Sequence, residues 1–299
     1  MPAPTNTANY GFQSQFGIGA TSTVSNRLDF QSEDLALEEE LHDFNGLRGE
    51  RAHDASRVRP DTRLVTGSIE MQPTSLEWSY LLQWILGGTP SGTGTVSYPL
   101  ANALVSQYVS FDRGAAVSVY NGCVVDTATI SSSAGMPLKL NLGVVGIDEA
   151  VNAAGSFPNL TLDTTTKPFL FYDLALTIGA TQQYWCQEFE LSIANAIDRN
   201  RFFNSPVLTA LNPTDRQIRF RTKVPYGAAS ALYGAGSSGV ALSAVFTYGG
   251  QILSITAGTL VFPRKKLTVP GRQEILVPIE GFLMKSGGTY ELTTTLKTS

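Results

Sequence analysis

One stretch of this chain is written twice. From Arg59 it runs RPDTRLVTGSIEMQPTSLEWSYLL, and from Leu211 it runs LNPTDRQIRFRTKVPYGAASALYG. Each has a Pro, then Asp and Thr in either order, an Arg, an alternating run, a second Pro and a helix-like segment. Other matches keep the same order. Leu35, Leu37 and Leu41 align with Leu191, Ile193 and Ile197 at a constant offset, and Arg63 aligns with Arg216. Gly122 in YNGCVV aligns with Gly258 in TAGTLV, and SSAGMPLKLNLGVVG parallels TVPGRQEILVPIEG. A chain that repeats itself once folds into two similar units. Two repeats are too few for a solenoid, but they suit equivalent positions in a ring. The division expected is a polar arm over residues 1–26, a first unit over 27–150 and a second over 151–299.

The units are β-rich. RLVTGSIEM, AVSVYNGCVVDTATIS, LKLNLGVVGI, LFYDLALTIG, QEFELSIANAI, RQIRFRTKV, LSAVFTYGGQILSITAGTLVF, EILVPIEGFLM and TYELTTTLK are rich in Val, Ile, Thr, Tyr and Phe. They often alternate, and Gly, Ser, Pro and Asn punctuate them, as expected of an antiparallel sandwich or barrel. One helix stands out. In TSLEWSYLLQWILGG, Thr74 and Glu77 form a capping box, and Trp78, Leu81, Leu82, Ile85 and Leu86 share one face. Gly87 stops it, and the stripe reads as a helix laid over a sheet. AASALYG, after Tyr226, reads as a weaker counterpart.

Little suggests chemistry. The chain has two histidines, His42 and His53, and two distant cysteines, Cys123 and Cys186. The cysteines read as reduced, buried thiols, with a disulfide as the alternative. No GxSxG, HExxH or phosphate loop is present, and no Asp-rich loop has calcium spacing. YGAGSSG, GGTPSGTGT and TISSSAG read as loops. No cofactor, metal or catalytic set is expected. No stretch reaches the ~18 apolar residues of a membrane helix, and the N-terminus does not read as a signal peptide.

Charge is unevenly divided. Residues 1–150 carry 16 acidic and 8 basic side chains, and the remainder carries 9 and 13. Opposite signs on two halves suit complementary contact within the chain or between copies. Two strands carry a small or acidic face opposite an apolar one: SEDLALEEELHDF, for which a helix is the alternative, and CQEFELSIANAID. Such strands fit a channel lining. Arg219, Arg221 and Lys223 share one strand face, and Arg264, Lys265 and Lys266 follow later. With a pI near 5.3, these read as charged edges or contacts rather than a nucleic-acid footprint.

The order of these features resembles the tail tube (major tail) proteins of long-tailed bacteriophages. The resemblance lies in FYDLALTIGATQQYWCQEFELSIANAIDRNRFFNSPVLTALNPTDRQIRF, TRLVTGSIEMQPTSLEWSYLLQWILGG and SVYNGCVVDTATISSSAGMPLKLNLGVVG. It implies a non-enzymatic virion protein built of two β-sandwich units with flanking short helices. Strands from each copy would join an inner β-barrel, and rings would stack into a hollow tube that carries the genome. Single-unit members form hexamers. A duplicated chain favours a trimer with pseudo-six-fold symmetry, with the hexamer as the alternative. Implied partners are the chain itself, the tape measure, terminator and distal tail proteins, and double-stranded DNA in transit, with no membrane. The implied location is the virion tail, assembled in the host cytoplasm. Acidic and small groups do not hold phosphate, so Asp34, Glu38, Glu40, Glu190 and Asp198 are the expected lumen residues. Arg219, Arg221, Lys223, Arg264, Lys265 and Lys266 are then expected at contacts between subunits or rings, and the N-terminal arm at a neighbouring ring. The other reading is a β-sandwich binding module or tail adaptor using an aromatic platform from Tyr108, Phe111, Tyr226 and Tyr233.

Overall fold

The computed structural model describes residues 11–47, 49, 51–227, 232, 236–264, 272, 274–287 and 290–298. Ten strands come first: β1 (Gln15–Gly19), β2 (Asn26–Leu28), β3 (Ser32–Glu33), β4 (Ala36–Asp43), β5 (Val58–Met71), β6 (Thr95–Pro99), β7 (Gln107–Asp112), β8 (Ala116–Ser133), β9 (Lys139–Gly146) and β10 (Asp148–Ala153). Helix α1 (Ser75–Leu86) lies between β5 and β6. Ten more follow: β11 (Leu174–Ile178), β12 (Thr181–Gln182), β13 (Glu188–Ala194), β14 (Ile197–Asp198), β15 (Asn212–Pro213), β16 (Gln217–Pro225), β17 (Val240–Tyr248), β18 (Gln251–Val261), β19 (Leu276–Leu283) and β20 (Thr293–Lys297). DLALEEEL is therefore strand. TISSSAG is not a loop from its start, because Thr129–Ser133 is the end of β8, paired on both sides. Its small side chains fit between two ladders. Phe171–Asp173, read as the start of a strand, is a 3-10 turn. AASALYG lies almost wholly outside the described residues.

The pairing pattern occurs twice, all antiparallel. In the first set β4 pairs with β5, β5 with β9, β9 with β8, β8 with β7 and β10, and β1 with β7 and β2. In the second β13 pairs with β16, β16 with β19, β19 with β18, β18 with β17 and β20, and β11 with β17 and β12. Register agrees too. Leu37 stands opposite Val65 as Ile193 stands opposite Ile218. Both the β7–β8 and β17–β18 hairpins shift register at one place, between Gln107 and Val109 and between Val240 and Leu242. These shifts align Tyr120 with Ala257, so the Gly122–Gly258 match read from sequence is displaced by one residue. β10 runs through residue 150, and part of the expected arm is the sheet strand β1, with Phe16 and Ile18 buried.

The duplicated arginines make the same contact. Arg63 Nη2 lies 3.0 Å from Asp148 and Arg216 Nη2 lies 3.0 Å from Glu291. In both, Nε is buried without a hydrogen bond among the described residues.

Each unit has two sheet layers, and β8 belongs to both. Its first half pairs with β7 and β10, and its second half with β9. The core between the layers includes Phe16 stacked on Phe111 at 4.8 Å and Phe189 edge-on to Phe246 at 5.4 Å. Helix α1 closes the first unit as its sequence predicts. The Thr74–Glu77 capping box is formed, Gly87 is left-handed, and Trp78, Leu81, Leu82, Ile85 and Leu86 are buried. Trp84 also faces inward, donating to the Cys123 carbonyl at 3.0 Å. Burial pushes the Glu77 carboxyl up, against donors from Thr74 and Asp29.

The sets are joined through strands. The second half of β8 pairs with β13, from Ser133↔Glu188 to Thr127↔Ala194, and β6 pairs with β20. One ladder order therefore runs β4-β5-β9-β8-β13-β16-β19-β18. Among the described residues, β4 pairs with β5 alone, and at the end of β18 Val261 pairs with β19 alone, while Leu260 pairs with both Leu283 of β19 and Val240 of β17.

Candidate assembly surfaces

The continuous sheet buries one face and presents a polar one. On β13 Phe189, Leu191 and Ile193 point to the core, and on β16 Ile218, Phe220, Thr222 and Val224 do. Glu188, Glu190 and Ser192 alternate with the first group, and Arg219, Arg221 and Lys223 with the second. One row of the polar face reads Lys139, Ser131, Glu190, Arg221, Glu280 across successive strands. The next reads Glu70, Asn141, Thr129, Ser192, Arg219, Phe282.

This placement bears on how the acidic and basic groups lie relative to one another. Glu190 and Arg221 are register partners, so their side chains share a face. A surface that takes the acidic group takes the basic one. The charges are set against each other: Glu188 with Arg221 at 3.3 Å and with Lys223 at 3.0 Å, and Glu70 with Lys139 at 3.2 Å. Arg219 lies 5.0 Å from the centre of the Phe282 ring. Sequence reading treated the acidic and basic strands separately, because alternation gives each strand's two faces but not which faces of two strands coincide. The Ser131, Thr129 and Lys139 stripe was missed, although the alternation of TATIS carries the signal.

Asp34 and Glu38 are exposed at the other end of this sheet. Asp34 accepts from Ser68 and Glu38 from Thr66. Glu40 is exposed at a register shift between Glu39 and Leu41, which also turns Leu41 outward. Asp198 stands apart, in the small β14–β15 ladder, 2.8 Å from Arg201. The Asn200 amide, then Arg201, lower its carboxyl. Arg264 is exposed just beyond β18, and Lys265 and Lys266 lie outside the described residues.

The β4–β5 hairpin carries an apolar tip, with Leu41, Phe44 and Leu47 exposed. His42 and His53 are tied there to Asp61 and Asp43, and His53, then Asn45, lower the Asp43 carboxyl. Of the expected aromatic platform, Phe111 is core, Tyr226 is exposed and Tyr233 lies outside the described residues. Both cysteines are free, and burial pushes the Cys123 thiol up. Among the described residues no cluster of His, Cys, Asp and Glu is placed to hold a metal, and no helix is long and apolar enough to cross a membrane.

A duplicated antiparallel sandwich with a continuous polar sheet face and, among the described residues, open strand edges belongs to the class of structural subunits. The phage tail tube protein family matches residues 5–281, and the chain belongs to that family. It is a structural component of the tail tube of a phage virion. A search of curated proteins returns no match.

Proposed function

We propose that three copies close head to tail into a ring of six equivalent units, and that stacked rings form the conduit for the genome. One observation carries this reading: within the chain, the second half of β8 already pairs with β13. The strand equivalent to β13 is β4, and by the register that aligns Tyr120 with Ala257 the stretch equivalent to Thr127–Ser133 is residues 264–270, which follow β18 in the sequence and, apart from Arg264, lie outside the described residues. The same pairing between residues 264–270 of one copy and β4 of the next makes every junction in the ring alike. It also removes the open edges, which are otherwise templates for unspecific association. The edges are complementary in charge, since Glu38, Glu39 and Glu40 lie on β4 and the basic run that starts at Arg264 follows β18.

The polar sheet face then lines the lumen. Asp34, Glu38 and Glu190 lie on it, with Arg219, Arg221 and Lys223 held among carboxylates rather than kept apart from them. A lining of hydroxyls and mutually neutralised charges offers DNA few net positive sites, so phosphates slide past. Asp198 sits in the β14–β15 loop region, outside this lining. The tape measure, terminator and distal tail proteins are the remaining partners, and assembly takes place in the host cytoplasm.

The test is negative-stain electron microscopy of purified protein with its mass by light scattering. Hollow rings in multiples of three chains are expected. Multiples of six with no three-chain species overturn the three-copy ring. A monomer that forms no rings even on a tail initiator complex overturns the tube.

A further inference from the structure

The segment that links the two units is bound in a site on the first. Pro168 forms a bridge with Thr74, Leu170 forms one with Pro137, and Leu138 donates its backbone N–H to the Phe169 carbonyl at 2.8 Å. Phe169 and Leu138 are completely buried, and Pro73 and Thr74 beneath the segment are buried too. The linker then makes a 3-10 turn at Phe171–Asp173 and enters β11.

The second unit has the same site, and among the described residues no segment lies over it as the linker lies over the first. Its residues are fixed by register. Arg63 and Arg216 align Pro73 and Thr74 with Tyr226 and Gly227. Met71↔Leu140 and Val224↔Val277 align Pro137 and Leu138 with Glu274 and Ile275. Gln31 and Gln187 donate to the equivalent carbonyls of Glu70 and Lys223, which sets Trp185 in the place of Asp29. Trp185, Pro225, Tyr226, Gly227, Glu274 and Ile275 line a mostly apolar cleft of about 400 Å³. Trp185 is 68% exposed, its neighbour Tyr184 77% and Tyr226 37%. Where the first unit buries Pro73, Thr74 and Leu138 under the linker and carries the polar Asp29 at the exposed position, the second leaves large aromatic groups in water, the mark of a surface that something covers.

The duplication also says which segment has the linker's place. The linker enters β11 through a 3-10 turn, and the chain enters β1 through a 3-10 turn at Gly11–Gln13. β1 pairs with β7 as β11 pairs with β17. Residues 3–10 therefore stand before the first unit as 163–170 stand before the second. We infer that residues 3–10 of one copy occupy the Trp185–Tyr226–Ile275 cleft of the preceding copy in the ring, a non-covalent version of the linker. This rests on the head-to-tail ring, because only there does a second unit stand before a first unit as the first stands before the second. The segment APTNTANY is uncharged, has two prolines just before or within it, and ends in an aromatic ring that suits an apolar cleft. Its partner is thus the preceding subunit of the same ring, rather than a subunit of a neighbouring ring.

Trp78 and Trp84 are fully buried, so Trp185 is the tryptophan that an aqueous quencher reaches. A synthetic peptide of residues 1–13 is titrated into the unassembled full-length chain while tryptophan quenching by acrylamide is followed. The expected result is a saturable blue shift with a several-fold fall in the quenching constant. A peptide of scrambled order, or one carrying Tyr10→Ala, gives neither. No saturable change at millimolar peptide overturns the docking, as does an equal response to the scrambled peptide. Tubes are scored separately by microscopy. Tubes without a peptide response leave the tube and remove the docking, whereas a peptide response without tubes does the reverse.

Discussion

At the scale of the residue, the duplicated arginines show how burial ranks two similar contacts. Arg216 and Glu291 have side chains 16% and 23% exposed, and Arg63 and Asp148 have 35% and 26%. Arg216 also donates to the Ala101 carbonyl at 2.9 Å. Arg216→Met leaves a carboxylate and a carbonyl short of a donor, so it is expected to cost about 1–3 kcal/mol. Arg63→Met, at a wetter site, is expected to cost less; chemical denaturation of both variants checks the order. Asp163 gives a pH prediction. Burial works against its carboxylate, but the hydroxyls and amides of Thr166 and Thr165 outweigh that and hold the carboxyl down at about 2. A depressed carboxyl stabilises the fold above its unfolded value of ~3.9 and loses that contribution as pH falls through the folded value. The stability gap between wild type and Asp163→Asn is therefore expected to be constant near neutrality. It should close between about pH 4 and about pH 2, as read by unfolding curves at several pH values.

Among the elements, α1 is the most legible. Its cap, stripe and stop are local features of consecutive residues, and each is present in the fold. Thr74→Ala removes the hydroxyl that accepts from the Glu77 amide and is expected to cost about 1 kcal/mol. Leu81→Ala opens a cavity under the helix at about 2–5 kcal/mol, seen as a lower denaturation midpoint. Gly87→Ala meets two obstacles, a φ of 80° and the Ala103 carbonyl 2.4 Å from the new Cβ. The strands were legible as strands for the same local reason, period two. The end of β8 was not, because TISSSAG is turn-like by composition and becomes strand only where β9 and β13 flank it.

For the whole molecule, the internal β8·β13 junction and the open edges make a charge test. Replacing Glu38, Glu39 and Glu40 with Lys is expected to abolish ring formation while leaving the monomer folded. Replacing Arg264, Lys265 and Lys266 with Glu is expected to do the same. Mixing the two variants makes complementary junctions only between unlike chains, and a ring of three chains always contains at least one junction between like chains, whereas combining both sets in one chain restores opposite charge at every junction. Rings from the combined variant alone, counted by microscopy, are the expected outcome. Their absence there removes edge charge as the determinant. The measured ring mass then separates three copies from six.

By itself the sequence determined what depends on near neighbours: the β content and the capped helix. Alternation and capping act within a few residues. The tertiary structure alone decided which strands lie side by side. Only there does Glu190 come to face Arg221, and only there does the register displace the Gly122–Gly258 match by one residue. The same holds for the site round Trp185, where among the described residues no segment lies as the linker lies over Thr74 and Leu138. Register and coverage come from contacts between residues far apart in the chain, and no local periodicity encodes them.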